Sequence, residues 1–180
     1  MTIEQLYEQR CLVGSDINEH LPTFVDIAFE LEATRVIELG VRGGVSTVAW
    51  LYAMEATDGH LWSVDVFPNM TGIEHDRWTF VHGDDLHPAT LGQLPVNADI
   101  VFIDTSHRYR HTLDELETYS RRVRWGGRII CHDTMVEAPE TTGERGYPVW
   151  RAIDRFAANT GWRWTNLKNN NGLAIIEVPT

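Results

Sequence analysis

Hydrophobic and polar positions along this chain alternate between short apolar runs and longer amphipathic stretches. Five apolar runs have the length of a strand: Arg35–Leu39, Leu61–Val66, Trp78–His82, Asp99–Asp104 and Arg128–His132. Patterns with helical periodicity lie between them: Val45–Ala56, His87–Leu94 and Arg108–Val123. In the last of these, one helix face carries Leu113, Leu116, Tyr119 and Val123. This alternation predicts a doubly wound parallel sheet.

The two ends of the chain complete the predicted fold. Residues 1–32 form a predicted N-terminal helical segment, and Pro148 suits the first turn of a helix that reaches Asn159. The last apolar runs, Trp162–Leu167 and Leu173–Val178, flank an Asn-Gly pair, which is a strong hairpin signal. We therefore expect a single domain over residues 1–180, with an antiparallel hairpin at the end of its sheet.

Residues 134–146 interrupt this regular pattern. They show no periodicity and contain one proline and two glycines. Long loops in compact domains often cover a binding site, so we expect a lid here.

Composition restricts the partners that this protein can have. The chain carries a net charge of −11, whereas a phosphate backbone demands a basic face, so no nucleic-acid partner is expected. No apolar run is long enough for a membrane span, and the first residues lack the apolar core of a signal peptide. Two cysteines, Cys11 and Cys131, are too few for a disulfide framework. A cytoplasmic protein is the resulting expectation.

A glycine-rich turn follows the first predicted strand. Glycines let the backbone approach a ligand, and the N-terminus of the next helix presents free N–H groups. Arg42 stands where a dinucleotide fingerprint needs its second glycine, and no phosphate-loop ending is present. Glu38 precedes the turn, where it would repel pyrophosphate but could accept hydrogen bonds from an ammonium group. The turn therefore favours a zwitterionic ligand over a dinucleotide.

Carboxylates also follow the second and third strands. Asp65 is positioned to accept hydrogen bonds from ribose hydroxyls, as in several nucleoside-binding folds. Asp84 or its neighbour Asp85 could meet an adenine amino group, and one of the two could cap a helix instead. These positions indicate a ligand that contains a nucleoside.

Two further strands end in carboxylates that a parallel sheet would bring to one edge, Asp104 and Asp133. A divalent ion held by both could bind two neighbouring substrate oxygens and lower the pKa of a hydroxyl. His107 follows Asp104 by three residues and could accept the proton, because imidazole titrates near neutrality. The alternatives are a helix cap for Asp104, a turn residue for Asp133 and a surface contact for His107.

Other residues are expected to have structural or peripheral roles. His111 reads as a solvated helix residue, Trp50 and Trp125 as core residues, and Cys131 as a small buried hydrophobe. Trp150 lies close to the predicted lid and could touch a substrate.

The motifs of this chain resemble those of the class I S-adenosylmethionine-dependent methyltransferases. The residues that carry the resemblance are Val36-Ile-Glu38-Leu-Gly40-Val-Arg-Gly-Gly44-Val-Ser46, Asp65, Gly83-Asp84, Phe102-Ile-Asp104-Thr-Ser-His107-Arg-Tyr109 and Trp125-Gly-Gly127-Arg-Ile-Ile-Cys-His132-Asp133-Thr134. Within that class the chain looks closest to small-molecule O-methyltransferases of the macrolide-sugar, catechol and cephalosporin-pathway types. The resemblance implies a Rossmann-like α/β fold, whose seven-stranded, mostly parallel sheet has the order 3-2-1-4-5-7-6.

The resemblance also implies roles for individual residues. The methionine end of the cofactor would be bound by Glu38, Gly40, Gly44 and Ser46, the ribose by Asp65 and the adenine by Asp84. A divalent cation would bind at Asp104 and Asp133, with His107 as the base that accepts the substrate proton.

His132 departs from the pattern, because several metal-dependent relatives have a carboxylate at this position. Imidazole is a poorer ligand for Mg²⁺ than for transition metals. Three interpretations stay open: His132 turns away from the site, as strand alternation relative to Asp133 suggests; a transition metal binds with His132 among its ligands; or no metal binds.

The sequence thus predicts an S-adenosylmethionine-dependent O-methyltransferase that acts on a hydroxyl of a small polyhydroxylated molecule with the help of a divalent metal. A nicotinamide-dependent oxidoreductase and a noncatalytic S-adenosylmethionine-binding module are the alternatives. The N-terminal region is shorter than in catechol-type relatives, which leaves room for a homodimer that covers the pocket.

Overall fold

The structure, a computed structural model, describes the backbone of residues 1–180 and every side chain except that of residue 140. One seven-stranded sheet has the order β3-β2-β1-β4-β5-β7-β6. Its strands are β1 (Arg35–Leu39), β2 (His60–Asp65), β3 (Trp78–His82), β4 (Ala98–Ile103), β5 (Val123–His132), β6 (Arg163–Leu167) and β7 (Leu173–Glu177). Strands β1 to β5 pair in parallel, whereas β7 is antiparallel to β5 and β6. The predicted fold class, strand order and terminal hairpin are confirmed.

Six α-helices cover this sheet: α1 (Ile3–Leu12), α2 (Leu21–Glu30), α3 (Val45–Ala56), α4 (Pro88–Leu91), α5 (Tyr109–Tyr119) and α6 (Pro148–Thr160). The N-terminal helical segment is therefore divided into two helices. Helix α1 begins with a capping box between Thr2 and Gln5. Between the two helices, side chains of Ser15 and Asn18 bind nearby backbone groups and so stabilise a turn.

Strand β5 begins earlier than the apolar pattern predicts. Val123, expected at the end of the preceding helix, is the first residue of β5. Pairing with β4 passes from Val123 to Arg128 across an irregularity, and the residues between them have no partner in β4. Trp125 lies in this irregular stretch and is 72% exposed, so its predicted place in the core is wrong.

The core has two layers, one on each face of the sheet. Helices α1, α2 and α3 cover one face, where the fully buried Trp50 stacks on Phe24 with 4.7 Å between the ring centroids. Helices α5 and α6 cover the other face, with Leu113, Leu116 and Tyr119 buried as predicted. Cys131 is buried as expected. Among the described residues, no helix combines the length and the apolar character that a membrane crossing requires.

The strand register brings the predicted site residues to one sheet edge. Leu39 of β1 is level with Val64 of β2 and Ile103 of β4, and Ile103 is level with Cys131 of β5. The residues that follow these strands therefore meet at the carboxyl edge, where open α/β sheets bind ligands.

Candidate active site

A pocket of about 610 Å³ opens at this carboxyl edge. Its volume lies within the range of small-molecule sites. Six aspartates line it: Asp16, Asp65, Asp84, Asp85, Asp104 and Asp133. The basic side chains on its wall are Arg42, His107 and His111, and Arg42 pairs with Asp16 at 2.9 Å. The pocket is consequently acidic.

The glycine-rich turn forms part of the pocket wall through Gly40, Gly43 and Ser46. Gly40 has a φ of +89°, and a Cβ built on it would lie 2.0 Å from the main-chain oxygen of Asp104. Only glycine permits this close contact between the turn and the loop after β4. Gly44 has a φ of +72° at the start of α3 and faces Thr71, so it shapes the turn without lining the pocket.

Glu38 is completely buried and does not line the pocket. Its carboxylate accepts hydrogen bonds from the hydroxyls of Ser46 at 2.6 Å, Thr47 at 2.8 Å and Ser63 at 2.6 Å. Burial raises the pKa of Glu38 to about 7, although the three hydroxyls oppose this shift. Ser46 lines the pocket and is joined to the carboxylate by this hydrogen bond, whereas direct contact of Glu38 with an ammonium group stays a prediction.

The raised pKa of Glu38 predicts a pH-dependent stability. Between pH 4.5 and about 7 the folded protein keeps a proton that the unfolded chain has released, so rising pH destabilises the fold. Relative to Glu38→Gln, the free energy of unfolding of the wild type should fall by roughly 2–3 kcal/mol across this window and then level off. Urea unfolding of both proteins at a series of pH values measures the difference; a pH-independent difference contradicts the expectation.

Asp65 and Asp84 lie at their predicted places on the pocket wall, but both carboxylates already bind main-chain amides. Asp65 accepts hydrogen bonds from the N–H groups of Val41, Arg42 and Phe67 at 2.9–3.0 Å. Asp84 is exposed and accepts one from the N–H of Leu86 at 2.8 Å. Since an ionised carboxylate offers about four acceptor positions, each retains capacity for a ligand.

Asp104, His107 and Asp133 come together beside the glycine-rich turn. Nε2 of His107 lies 3.2 Å from Oδ1 of Asp104 and 2.9 Å from Oδ2 of Asp133. His107 and Asp133 have φ values of 53° and 58°, in the left-handed region, where strain is typical of functional sites. One possible metal-ligand atom from each of the three residues lies within 4.8 Å of the other two.

Charge coupling in this cluster is strong. Burial alone lowers the pKa of His107, but its two carboxylate partners outweigh burial and raise the pKa to about 10. Burial alone would raise the pKa of Asp104, whereas His107 and His132 hold it well below its usual range. Without a bound cation, His107 is therefore an imidazolium at neutral pH.

His132 does not turn away from the cluster. Its Nε2 lies 3.0 Å from the main-chain oxygen of Asp16 and 3.1 Å from that of Asn170, so this nitrogen must carry the ring proton. Its Nδ1 lies 3.5 Å from Oδ1 of Asp104 and 3.4 Å from Oδ1 of Asp133. Nδ1 of His132 and Oδ1 of Asp133 are buried without a hydrogen-bond partner. A second proton on His132, or a cation, would stabilise the approach of this nitrogen to the two carboxylate oxygens.

A second group of titratable side chains, not predicted from the sequence, lies beside the same pocket, with Asp85 and His111 on its wall. His111 is not a solvated helix residue: its Nε2 lies 3.4 Å from Oδ1 of Asp85 and 3.5 Å from Oε1 of Glu115. His111 and Glu115 are four residues apart on α5, a spacing that places them on one helix face. That spacing is visible in the sequence, but the approach of Asp85 depends on tertiary packing.

The loop 134–146 contacts the segment that carries His107. Oε2 of Glu144 accepts a hydrogen bond from the N–H of Tyr109 at 3.2 Å, and the guanidinium of Arg151 lies 5.0 Å from the Tyr109 ring centroid. Trp150 packs edge-on against Trp164. A lid function for this loop stays a prediction.

A seven-stranded sheet of this order, with a pocket at the carboxyl ends of β1, β2 and β4, defines the class I methyltransferase fold. Residues 37–134 match the family model described as a methyltransferase domain. Because the match spans more than half of the sequence, the chain belongs to this methyltransferase family. No curated protein sequence matches the chain.

Solved structures share this fold at low sequence identity. A Podospora anserina methyltransferase bound to S-adenosylhomocysteine is 17% identical with a TM-score of 0.69, over 99% of this chain and 88% of that chain. A provisionally assigned caffeoyl-CoA O-methyltransferase from Staphylococcus aureus is 16% identical with a TM-score of 0.74, over 99% and 92%. The mycinamycin-pathway methyltransferase MycE, in complex with Mg, S-adenosylhomocysteine and mycinamycin VI, is 17% identical with a TM-score of 0.74, over 98% and 53%.

Proposed function

We propose that this protein transfers the methyl group of S-adenosylmethionine to a hydroxyl of a small polyhydroxylated molecule, with the help of a divalent cation. The observation that carries the proposal is the position of the Asp104–His107–Asp133 cluster on the wall that also holds Gly40 and Ser46. One cavity thus combines groups suited to a methyl donor with groups suited to a hydroxyl acceptor. The methyltransferase family of the chain supports this assignment.

The charge of the pocket supports S-adenosylmethionine as the cofactor. Its six aspartates face one arginine, which is already paired. An acidic wall attracts a sulfonium and an ammonium group and repels a pyrophosphate, so it disfavours nicotinamide dinucleotides. Asp65 would accept a hydrogen bond from a ribose hydroxyl, and Asp84 would accept one from the adenine amino group. Ser46, whose hydroxyl binds the Glu38 carboxylate, would contact the methionine end of the cofactor.

The donor set of the cluster fits a divalent cation. Asp104 and Asp133 supply carboxylate oxygens, and the unpartnered Nδ1 of His132 faces the same point. Two carboxylates with an imidazole suit a transition metal at least as well as Mg²⁺. When bound, the ion would orient two substrate oxygens and lower the pKa of a hydroxyl.

His107 is the residue that we assign to proton removal. It lies on the pocket wall, 38% exposed at its side chain, with its Nε2 directed at the two carboxylates. Asp104 and Asp133 hold the ring in place and stabilise the imidazolium that forms when it accepts a proton. Because the two carboxylates raise the pKa of His107 to about 10, a cation that offsets part of their charge would favour the neutral, proton-accepting form of the ring.

Cofactor selectivity tests this proposal directly. Calorimetric titration should give a micromolar dissociation constant for S-adenosylmethionine and binding of NAD that is at least 100-fold weaker, because the acidic wall repels the pyrophosphate. Equal binding of the two would favour the nicotinamide oxidoreductase. Tight binding of S-adenosylhomocysteine with no methylation across a panel of diols, catechols and sugars would favour a noncatalytic module.

We also propose that the enzyme acts on a free small molecule in the cytoplasm. Unpaired Cys11 and buried Cys131 are in keeping with a reducing compartment, and the acidic pocket disfavours a nucleic-acid acceptor. A homodimer contact would be placed near the exposed Leu12 and Val13, which precede pocket residues Ser15 and Asp16. Light scattering on the purified protein decides between monomer and dimer.

A further inference from the structure

The group formed by Asp85, His111 and Glu115 is separate in composition from the Asp104–His107–Asp133 cluster and joins three parts of the fold. Asp85 follows β3, and His111 and Glu115 lie on α5. The hydroxyl of Thr105, in the loop after β4, donates a hydrogen bond to Oε1 of Glu115 at 2.7 Å. Asp85, Thr105 and His111 all line the cofactor pocket, so the group is accessible from it.

Hydrogen bonds leave this group incompletely satisfied. The side chain of Glu115 is fully buried and that of Asp85 is 8% exposed, yet Oε2 of Glu115 and Oδ2 of Asp85 have no hydrogen-bond partner. One oxygen of each of these two carboxyl groups lies within 4.8 Å of the other. Within the described part of the chain, no lysine or arginine forms an ion pair with either of them. One imidazole thus faces two buried carboxyl groups, each with an unpartnered oxygen, and an unpartnered buried polar atom is costly.

The separations between donor atoms match the coordination shell of a small cation. Nε2 of His111 lies 3.4 Å from the Asp85 oxygen and 3.5 Å from the Glu115 oxygen, which is long for hydrogen bonds between charged groups. Ligands held at the 2.0–2.2 Å bond lengths of Zn²⁺ in a tetrahedron lie about 3.4 Å from one another. All three donor atoms are within 4.8 Å of one another. These distances suit a metal ion better than an imidazolium that donates to carboxylates.

We propose that Asp85, His111 and Glu115 form a second cation site, specific for a divalent transition metal such as Zn²⁺ or Mn²⁺. One imidazole and two carboxylates are ligands that these ions accept readily. The Thr105 hydroxyl orients the Glu115 carboxylate, as hydrogen-bonding groups around metal ligands do. Asp85 and His111 line the pocket, so water from the pocket would complete the coordination of the ion.

The consequence for the pocket is structural. A metal at this site ties the turn that contains Asp84 and Asp85 to α5 and to the loop after β4. Asp84 is the residue that we assign to adenine recognition, so occupancy of the site would order the nucleoside end of the pocket. The site itself does not depend on the proposed methyl transfer and can be tested without it.

Metal titration in a background without the first cluster tests the proposal. In Asp104→Asn/Asp133→Asn protein, freed of metal by chelation and dialysis, calorimetry with ZnCl₂ or MnCl₂ should detect one equivalent of bound metal. Adding Glu115→Gln should weaken this binding at least 10-fold, because it removes a charged ligand without changing the shape of the side chain. Adding Glu117→Gln, on the exposed face of the same helix, should leave it unchanged.

Two results overturn the proposal: no bound metal in the folded background protein at millimolar free Zn²⁺ and Mn²⁺, or binding that Glu115→Gln leaves intact. If the combined variants do not fold, crystals of the wild type soaked in ZnCl₂ provide the decision. Anomalous density between Asp85, His111 and Glu115 supports the site. Its absence there, with density at Asp104 and Asp133, overturns the proposal.

Discussion

Asp104→Asn should lower the methyl-transfer rate by about 10²- to 10⁴-fold, the range expected for losing a group that supports proton transfer. Asparagine keeps the shape of the side chain but removes the charge that faces Nε2 of His107 at 3.2 Å and Nδ1 of His132 at 3.5 Å. Both the cation and the positioned base depend on this carboxylate in the proposed mechanism. The affinity for S-adenosylmethionine should change little, because the residues assigned to the cofactor stay intact.

Single-turnover kinetics together with calorimetry separate these two effects. Asp114→Asn is the matched control, since Asp114 lies on α5 outside the cluster and pairs with the exposed Arg110, four residues earlier. It should retain wild-type rate and affinity. Wild-type turnover in Asp104→Asn, or after exhaustive chelation of the wild type, would remove the metal-assisted mechanism. An equal loss of cofactor affinity would reassign Asp104 to the cofactor.

The sequence predicts most of the fold because the spacing of apolar residues in the middle of the chain clearly distinguishes strands from helices. Alternation of strands and helices indicates a doubly wound sheet, and the Asn171–Gly172 pair marks the hairpin that becomes β6 and β7. The start of β5 escaped prediction. A Cβ built on Gly127 would lie 2.6 Å from the main-chain oxygen of Asp99, and the strand continues through Gly126 and Gly127. This close approach comes from a distant segment, so the local sequence does not reveal it.

The candidate site is predictable where it depends on strand ends. Asp65, Asp104 and Asp133 each follow a strand, and parallel strands carry such residues to one edge. Local sequence does not report how tertiary packing distributes hydrogen bonds. The Ser63 hydroxyl that binds Glu38 comes from β2, and the side chain of Asp85 that approaches His111 follows β3. Both features therefore emerge only from the folded chain.

The largest effect on stability is expected for Gly40→Ala. A methyl group there would lie 2.0 Å from the main-chain oxygen of Asp104 and 2.8 Å from its carbonyl carbon, both of which are backbone atoms that cannot rotate away. The φ of +89° adds the cost of a left-handed conformation, about 1–2 kcal/mol for a residue with a Cβ. Together with the overpacking, the free energy of unfolding should fall by about 3 kcal/mol or more.

Gly43→Ala separates this steric conflict from a general effect of alanine in the turn. Gly43 has no heavy atom within 4 Å of its built Cβ, and it lines the pocket. Its substitution should change the free energy of unfolding by less than about 0.5 kcal/mol. Because Gly43 lines the pocket, the added methyl group should weaken S-adenosylmethionine binding. Urea unfolding and calorimetry of both variants measure the two effects. If Gly40→Ala and Gly43→Ala destabilised the protein equally, a methyl group at residue 40 would be accommodated as easily as one in open space. The contact between the turn and Asp104 would then not set the geometry of this site.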